Sequence, residues 1–257
     1  MKRRNNNPNQ APDRALNPSF TAAGDPVASL DLFDVVTSLQ GGDRRALLSF
    51  SGKDSLAAWL YLREHDFEVI PYWCYSVPGL SFDDEMIQYY EDYFQTHIYR
   101  FLHPASYGLL YALAWQPPDT VAPILRMRIP RNVDFAYIER QIIETLGLRE
   151  DTFTAVGIRA RDNLMRNRLV HQMGPLGLRR RRYWWAVWDF SLDDVLGIIR
   201  RHGVKLSRAY SIWGATGDIW DYRILKTLQE KEPADFARIV EMFPLIQAEL
   251  FRYEQVR

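Results

Sequence analysis

The stretch Ser49-Phe50-Ser51-Gly52-Lys53-Asp54-Ser55 constrains this chain more than any other, because of what stands on either side of it. An apolar run, Ala46-Leu47-Leu48, leads in, and Leu56-Ala57-Ala58-Trp59-Leu60-Tyr61-Leu62, which reads as a buried helix, leads out. The implied order is strand, tight polar loop, helix. Such a loop turns its backbone N–H groups and the positive end of the next helix toward one spot, and that spot suits phosphate. Lys53 adds a mobile positive charge, while Ser51 and Ser55 add hydroxyl donors. A plainer reading is a strand-to-helix turn with Ser and Asp as caps. A Walker loop aligned on Gly52-Lys53 needs Gly at position 47 and Ser or Thr at position 54. Leu47 and Asp54 stand there, so that pattern is excluded.

Strand and helix patterns alternate around this stretch. Residues 1–26 are rich in Asn, Pro and Arg with little to bury, which predicts a disordered tail. Leu30, Leu32, Phe33, Val35, Val36 and Leu39 recur at helical spacing before Gly41-Gly42, so a helix leads into a first strand, Arg45 to Phe50. A helix from Asp54 to Glu64 precedes a β-branched and aromatic second strand, Phe67 to Ser76, parallel to the first because a helix separates them. A helix opens at Ser81 or Phe82, with Asp83, Asp84 and Glu85 at its positive end as terminus residues rather than metal ligands.

His97 to His103 reads as a third strand. Residues 104–130 read as an irregular connection holding a short helix around Tyr107 to Leu113. A helix from Val133 to Leu146 and a fourth strand, Thr152 to Ile158, come next. Ser191 and Asp194 cap a helix that stops at Gly203; Leu206 to Asp218 is turn-rich; from Trp220 the chain is helical, punctuated by Pro233 and Pro244. The fold class is α/β, a three-layer α/β/α sandwich with a mostly parallel sheet. It divides into an α/β domain over 27–205, which carries the phosphate-suited loop, and a helical C-terminal extension over 206–257 packed on it. Ligands of such sheets sit at the carboxyl ends of the strands, so the loop after the first strand and the residues after the fourth share a crevice.

Two segments resemble a known family. The loop resembles the S-G-G-x-D-S motif of the PP-loop ATP pyrophosphatases, and Leu48-Ser49-Phe50-Ser51-Gly52-Lys53-Asp54-Ser55 is most similar to the phosphoadenylylsulfate (PAPS) reductase branch. The family's paired glycines are a single Gly52 here: either a glycine is deleted, or Ser51 stands in place of the first. Gly157-Ile158-Arg159-Ala160-Arg161-Asp162-Asn163-Leu164-Met165-Arg166 resembles that branch's G-x-R-x-x-E-S-x-x-R segment, matching at Gly157, Arg159 and Arg166. Guanidinium groups at a strand end can clamp a phosphate, sulfate or carboxylate in two-pronged fashion; the bland alternative is a solvated helix start with surface ion pairs.

The resemblance implies a HUP/Rossmann-like sheet that binds ATP or a related adenine nucleotide, with Mg²⁺, and cleaves it at the α-phosphate so that pyrophosphate leaves. Carried over residue by residue, the nucleotide contacts are Ser49, Ser51, Gly52, Lys53, Asp54, Ser55, Gly157, Arg159 and Arg166, with Lys53, Asp54 and Arg159 nearest the chemistry. Family members that reduce sulfate adducts depend on a C-terminal cysteine, and some hold an iron–sulfur cluster. Here the single cysteine is Cys74, in a predicted strand and expected to be an inert buried thiol, so neither a cluster nor a disulfide framework is expected. The reductase activity is set aside unless a non-standard nucleophile serves. A nucleotide- or nucleic-acid-binding regulator that has lost the chemistry is the third reading.

Lys plus Arg equals Asp plus Glu, 32 of each, so no global field draws the chain to nucleic acid or membrane and any attraction is local. Arg179-Arg180-Arg181-Arg182, before Tyr183-Trp184-Trp185, is where nucleic acid would bind by charge and stacking. Alternatively the aromatics pack and the arginines face an anion. No apolar run approaches a membrane span and no apolar segment follows Arg3-Arg4, so a cytoplasmic protein is expected. His97 and His103, six apart on one predicted strand face, form no metal-ligand pattern. The acceptor substrate and the oligomeric state leave no mark in the sequence.

Overall fold

The structure, a computed structural model, describes residues 17–178, 181–213 and 219–255. Helix α1 (Ser29–Leu39) buries Leu32, Phe33 and Val36 and stops where Gly41 and Gly42 both take positive φ. Strand β1 (Arg45–Phe50) passes into helix α2 (Lys53–Glu64) through only two residues, Ser51 and Gly52. Helix α2 buries Leu56, Ala57, Ala58, Trp59, Leu60 and Leu62, as its all-round apolar sequence predicts. There follow β2 (Glu68–Tyr75), α3 (Ser81–Phe94), β3 (Tyr99–Leu102), α4 (Pro104–Tyr111), α5 (Pro118–Arg126), α6 (Phe135–Leu146) and β4 (Thr154–Val156). A 3-10 turn, Ala160–Asp162, precedes α7 (Leu164–Met173), β5 (Leu176–Leu178), β6 (Arg182–Trp185) and α8 (Leu192–Arg201). The C-terminal region holds α9 (Ala209–Trp213), α10 (Tyr222–Lys231), α11 (Pro233–Met242) and α12 (Ile246–Gln255).

The six strands hydrogen-bond in the order β3-β2-β1-β4-β6-β5. Strand β2 runs parallel to β3 and β4 parallel to β6, while β5 joins β6 antiparallel. The fold is thus α/β with a mostly parallel sheet flanked by helices and a helical C-terminal region, as the pattern of elements implies.

The chain divides into two compact units: Met1–Leu48, Lys53–Val69 and Asp151–His202 form the first, and Ser49–Gly52, Ile70–Glu150 and Gly203–Arg257 the second. Phe33 centres the core of the first unit, with its ring edge-on to Tyr61 and Trp184 and stacked on His65 at 4.1 Å. The buried amide of Gln40 ties three segments together: its Oε1 accepts from Phe153 N–H at 2.6 Å, and its Nε2 donates to the carbonyls of Asp43 and Arg45. Trp188 Nε1 donates to the Val27 carbonyl, and Asp189 caps α1 by accepting from Ser29 N–H.

The expected disordered tail lies, over residues 1–16, outside the described residues. Residues 17–26 are folded onto this unit, with an antiparallel bridge between Phe20 and Pro26 and the Phe20 ring buried.

In the second unit, Val77, Leu80 and Phe82 share one core with Phe236, Ile239, Phe243, Ile246 and Leu250 of the C-terminal helices. Asp235 caps α3 from a distance, accepting from Ser81 N–H at 2.9 Å and Ser81 Oγ at 2.8 Å. Arg208 adds bonds to Ser81 Oγ, Glu85 and Glu232. Of the acids that open α3, Glu85 is therefore an ion-pair partner of Arg208.

Four further expectations change. The connection over 104–130 contains two helices, not one, each with Pro at its first turn, where a missing N–H removes no helical bond. His103 lies outside β3 and caps α4 by accepting from Ala105 N–H, and His97 precedes β3, so the two histidines share no strand face. Strands β5 and β6 add an antiparallel pair that Leu176-Gly177-Leu178 was too short to announce. Cys74 lies on β2 as expected but is partly exposed rather than buried. Among the described residues no helix is long and apolar enough to cross a membrane.

Candidate functional site

The positive end of α2 is the foundation of the site. Its first-turn N–H groups lie beyond the reach of the helix's own carbonyls, and Asp54 in that turn complements the dipole. Gly157, just after β4, lets another segment of backbone reach this helix end. A Cβ on Gly157 would run into the Ser55 nitrogen and Cα and the Asp54 carbonyl carbon, all main-chain atoms that cannot swing aside. Only glycine permits this approach.

Two residues further on, that approach delivers Arg159, which is 7% exposed. Its Nε lies 2.8 Å from Asp54 Oδ1, while Lys53 Nζ lies 2.9 Å from Asp54 Oδ2. One carboxylate thus bridges two cations. On the far side of Arg159, its Nη2 donates to Asp162 Oδ1, and Asp162 Oδ2 accepts from Arg166 Nη1 at 2.7 Å. Asn163 caps α7 by accepting from Arg166 N–H at 2.8 Å, which fixes the start of the helix that carries Arg166. The sequence of charges is Lys53, Asp54, Arg159, Asp162, Arg166, alternating in sign: three cations against two carboxylates, one net positive charge.

The contacts are not equivalent. Arg159 meets Asp162 through a directed hydrogen bond, whereas its Nε–H does not point along the line to Asp54, so neither Nε nor Oδ1 makes a directed bond. The Asp54 contact is a close ion pair held by charge alone, beside a guanidinium almost fully out of solvent.

Of the residues singled out from sequence, Lys53, Asp54, Ser55, Gly157, Arg159 and Arg166 come together within the first unit. Ser49 is half-buried at the end of β1, Ser51 is exposed, and Gly52 is half-buried in the two-residue turn. Asp162 was not singled out, yet it holds both arginines; the signal was its place three residues after Arg159 and four before Arg166. Arg179 and Arg180 lie outside the described residues. Arg182 is not in a free basic loop: it lies on β6 with its guanidinium 5.7 Å from the Phe153 ring centre, and Arg181 sits 5.6 Å from that of Tyr183. Trp184 and Trp185 are buried and so offer no faces for stacking bases. Among the described residues no group of three or more His, Cys, Asp or Glu could hold a metal ion.

Fold and site together define an α/β protein whose first loop opens a helix toward a cluster of cations, an arrangement suited to anions. The sequence matches no family model, and no similar curated protein is found. Among solved structures the chain is similar to the PAPS reductase from Candida auris in its phosphate complex, at 10% identity over 76% of this chain and 89% of that one, with a TM-score of 0.46.

Proposed function

We propose that the chain binds ATP or a related adenine nucleotide with its phosphates at the Ser51–Ser55 turn and cleaves it at the α-phosphate to modify an acceptor. The observation that carries this reading is the convergence of Lys53 and Arg159 on the N-terminus of α2. A nucleophile on the acceptor attacks the α-phosphorus; the bond to the bridging oxygen breaks, and pyrophosphate leaves with the electron pair. Charge builds on oxygen as this happens, so fixed cations and helix-end N–H groups stabilise the transition state. Lys53 and the first-turn N–H groups serve the departing pyrophosphate, Ser51 and Ser55 orient it, and Arg159 serves a second anion. Mg²⁺ would arrive with the nucleotide and would shield the charge building on the leaving pyrophosphate, with Asp54 closing the loop or accepting from a Mg²⁺-bound water.

The test is pyrophosphate release from ATP together with calorimetric titration of ATP. Lys53→Ala and Arg159→Ala are each expected to weaken ATP binding at least tenfold; unchanged affinity in both removes the site assignment. ATP binding with no pyrophosphate release across candidate acceptors favours a nucleotide-binding regulator. A second reading, sulfotransfer or reduction of a sulfated adenine nucleotide, draws on the partly exposed Cys74 thiol. PAPS-dependent oxidation of an added thiol that is lost in Cys74→Ser marks that reading.

A further inference from the structure

Asp54 has a place that accepting from a Mg²⁺-bound water does not require. A carboxylate intended only to cap α2 would face its own helix, but this one spans Lys53 Nζ and Arg159 Nε with its two oxygens, 2.9 and 2.8 Å away. It neutralises the same two cations that a phosphate needs. Its hold on them is uneven: the contact with Arg159 is off-line and undirected, and the Asp54 side chain retains 19% of its exposure, so it has a route back to water. Arg159, at 8% side-chain exposure, has no such route and is fixed from behind by Asp162. Asp162 and Arg166 close as a neutral pair at the far end of the row. When Asp54 swings out, the remaining row of Lys53, Arg159, Asp162 and Arg166 carries two net positive charges, with Arg159 held in place by Asp162.

We propose that Asp54 is the specificity-determining residue of the anion site, an internal counter-ion that a multiply charged phosphate such as pyrophosphate displaces and that anions of lower charge do not. The inference rests on the reading of this site as the seat of the nucleotide's phosphates. An incoming anion exchanges with a carboxylate already in place, so only its charge beyond that of the carboxylate counts toward affinity. The directed donors of the α2 N-terminus then serve the ligand with the most oxygens to offer. On this account Asp54 cancels a larger share of the charge of a sulfate than of a diphosphate, and so favours the diphosphate.

The experiment is isothermal titration of the full chain with sodium pyrophosphate and with sodium sulfate, in buffer free of divalent cations, for the wild type and Asp54→Asn. The wild type is expected to bind pyrophosphate at least tenfold more tightly than sulfate. Asp54→Asn, which keeps the shape and removes the charge, is expected to bind sulfate at least tenfold more tightly than the wild type does, which narrows that ratio. Sulfate affinity equal to or below that of the wild type overturns the counter-ion role. Thermal unfolding confirms that the variant is folded; Asp54→Ser replaces it if it is not. Unchanged pyrophosphate affinity in Lys53→Ala removes the underlying site, an outcome distinct from failure of the counter-ion role alone.

Discussion

Arg159 Nε lies 2.8 Å from Asp54 Oδ1, joining the segment after β4 to the first turn of α2 through a guanidinium almost fully removed from water. Removing one member of such a pair leaves the other members charged and partly desolvated. Arg159→Ala is therefore expected to destabilise the chain by about 3 kcal/mol, moderated by the partial exposure of Asp54 and Asp162. Arg159→Lys is expected to recover little of this, because an ammonium cannot reach Asp54 and Asp162 in two directions at once. Urea denaturation of both variants checks the pair, and a loss below about 0.5 kcal/mol in Arg159→Ala contradicts it.

Gly157→Ala places a methyl group on main-chain atoms of Asp54 and Ser55. Since no side chain can move aside, β4 and α2 must separate, and Lys53 and Asp54 are drawn away from Arg159. The expected outcome is a loss of about 3 kcal/mol in stability, as for other overpacked sites, together with at least tenfold weaker ATP binding. Wild-type affinity in a folded Gly157→Ala protein would show that this close approach does not set the site.

Asp83, partly buried in the first turn of α3, has its carboxyl pushed up to about 7, first by burial and then by Asp84 and Asp235. The folded chain thus holds this proton more tightly than the unfolded chain, whose carboxyl titrates near 4. The resulting stability is fully present below about pH 4 and is lost as pH rises through about 7. Asp83→Asn is expected to be more stable than the wild type at pH 8 and to lose the part of the decline between pH 5 and pH 8 that Asp83 contributes. Urea midpoints across that range measure it; identical slopes in the two proteins refute the assignment.

Ser191 and Asp194 form a reciprocal cap on α8, with Ser191 Oγ accepting from Asp194 N–H and Asp194 accepting from Ser191 N–H and Oγ. These bonds hold the Asp194 carboxyl below its usual range. Ser191→Ala is expected to cost about 1 kcal/mol and to let the Asp194 pKa rise. NMR titration of the Asp194 carboxyl reads the second effect, and an unchanged value there argues against the cap.

The legible parts of this chain were those in which local pattern and tertiary role agree. Helix α2 is apolar on all sides because it is buried on all sides, and the box at Ser191 and Asp194 is complete within four residues. Strand β5 failed that condition: three residues carry no period, and its pairing with β6 is decided across the intervening turn. Residues 104–130 read as an irregular connection, yet α5 lies within them and contains Pro123, a residue that ordinarily interrupts a helix. Within the site, Gly157 and Arg159 stood out as residue types, but that a glycine was needed there follows only from where α2 lies. Asp162 was hidden because an acid beside arginines reads equally well as surface charge.

The turn between β1 and α2 contains two residues and therefore no slack. Successive residues of a helix are rotated by about 100°, so the length of this turn sets the phase of α2. One more residue would either be absorbed as a bulge or turn Lys53 and Asp54 to a different heading. The length of this turn is thus a timing element: it decides which side chains of the first turn face Arg159 and which face away.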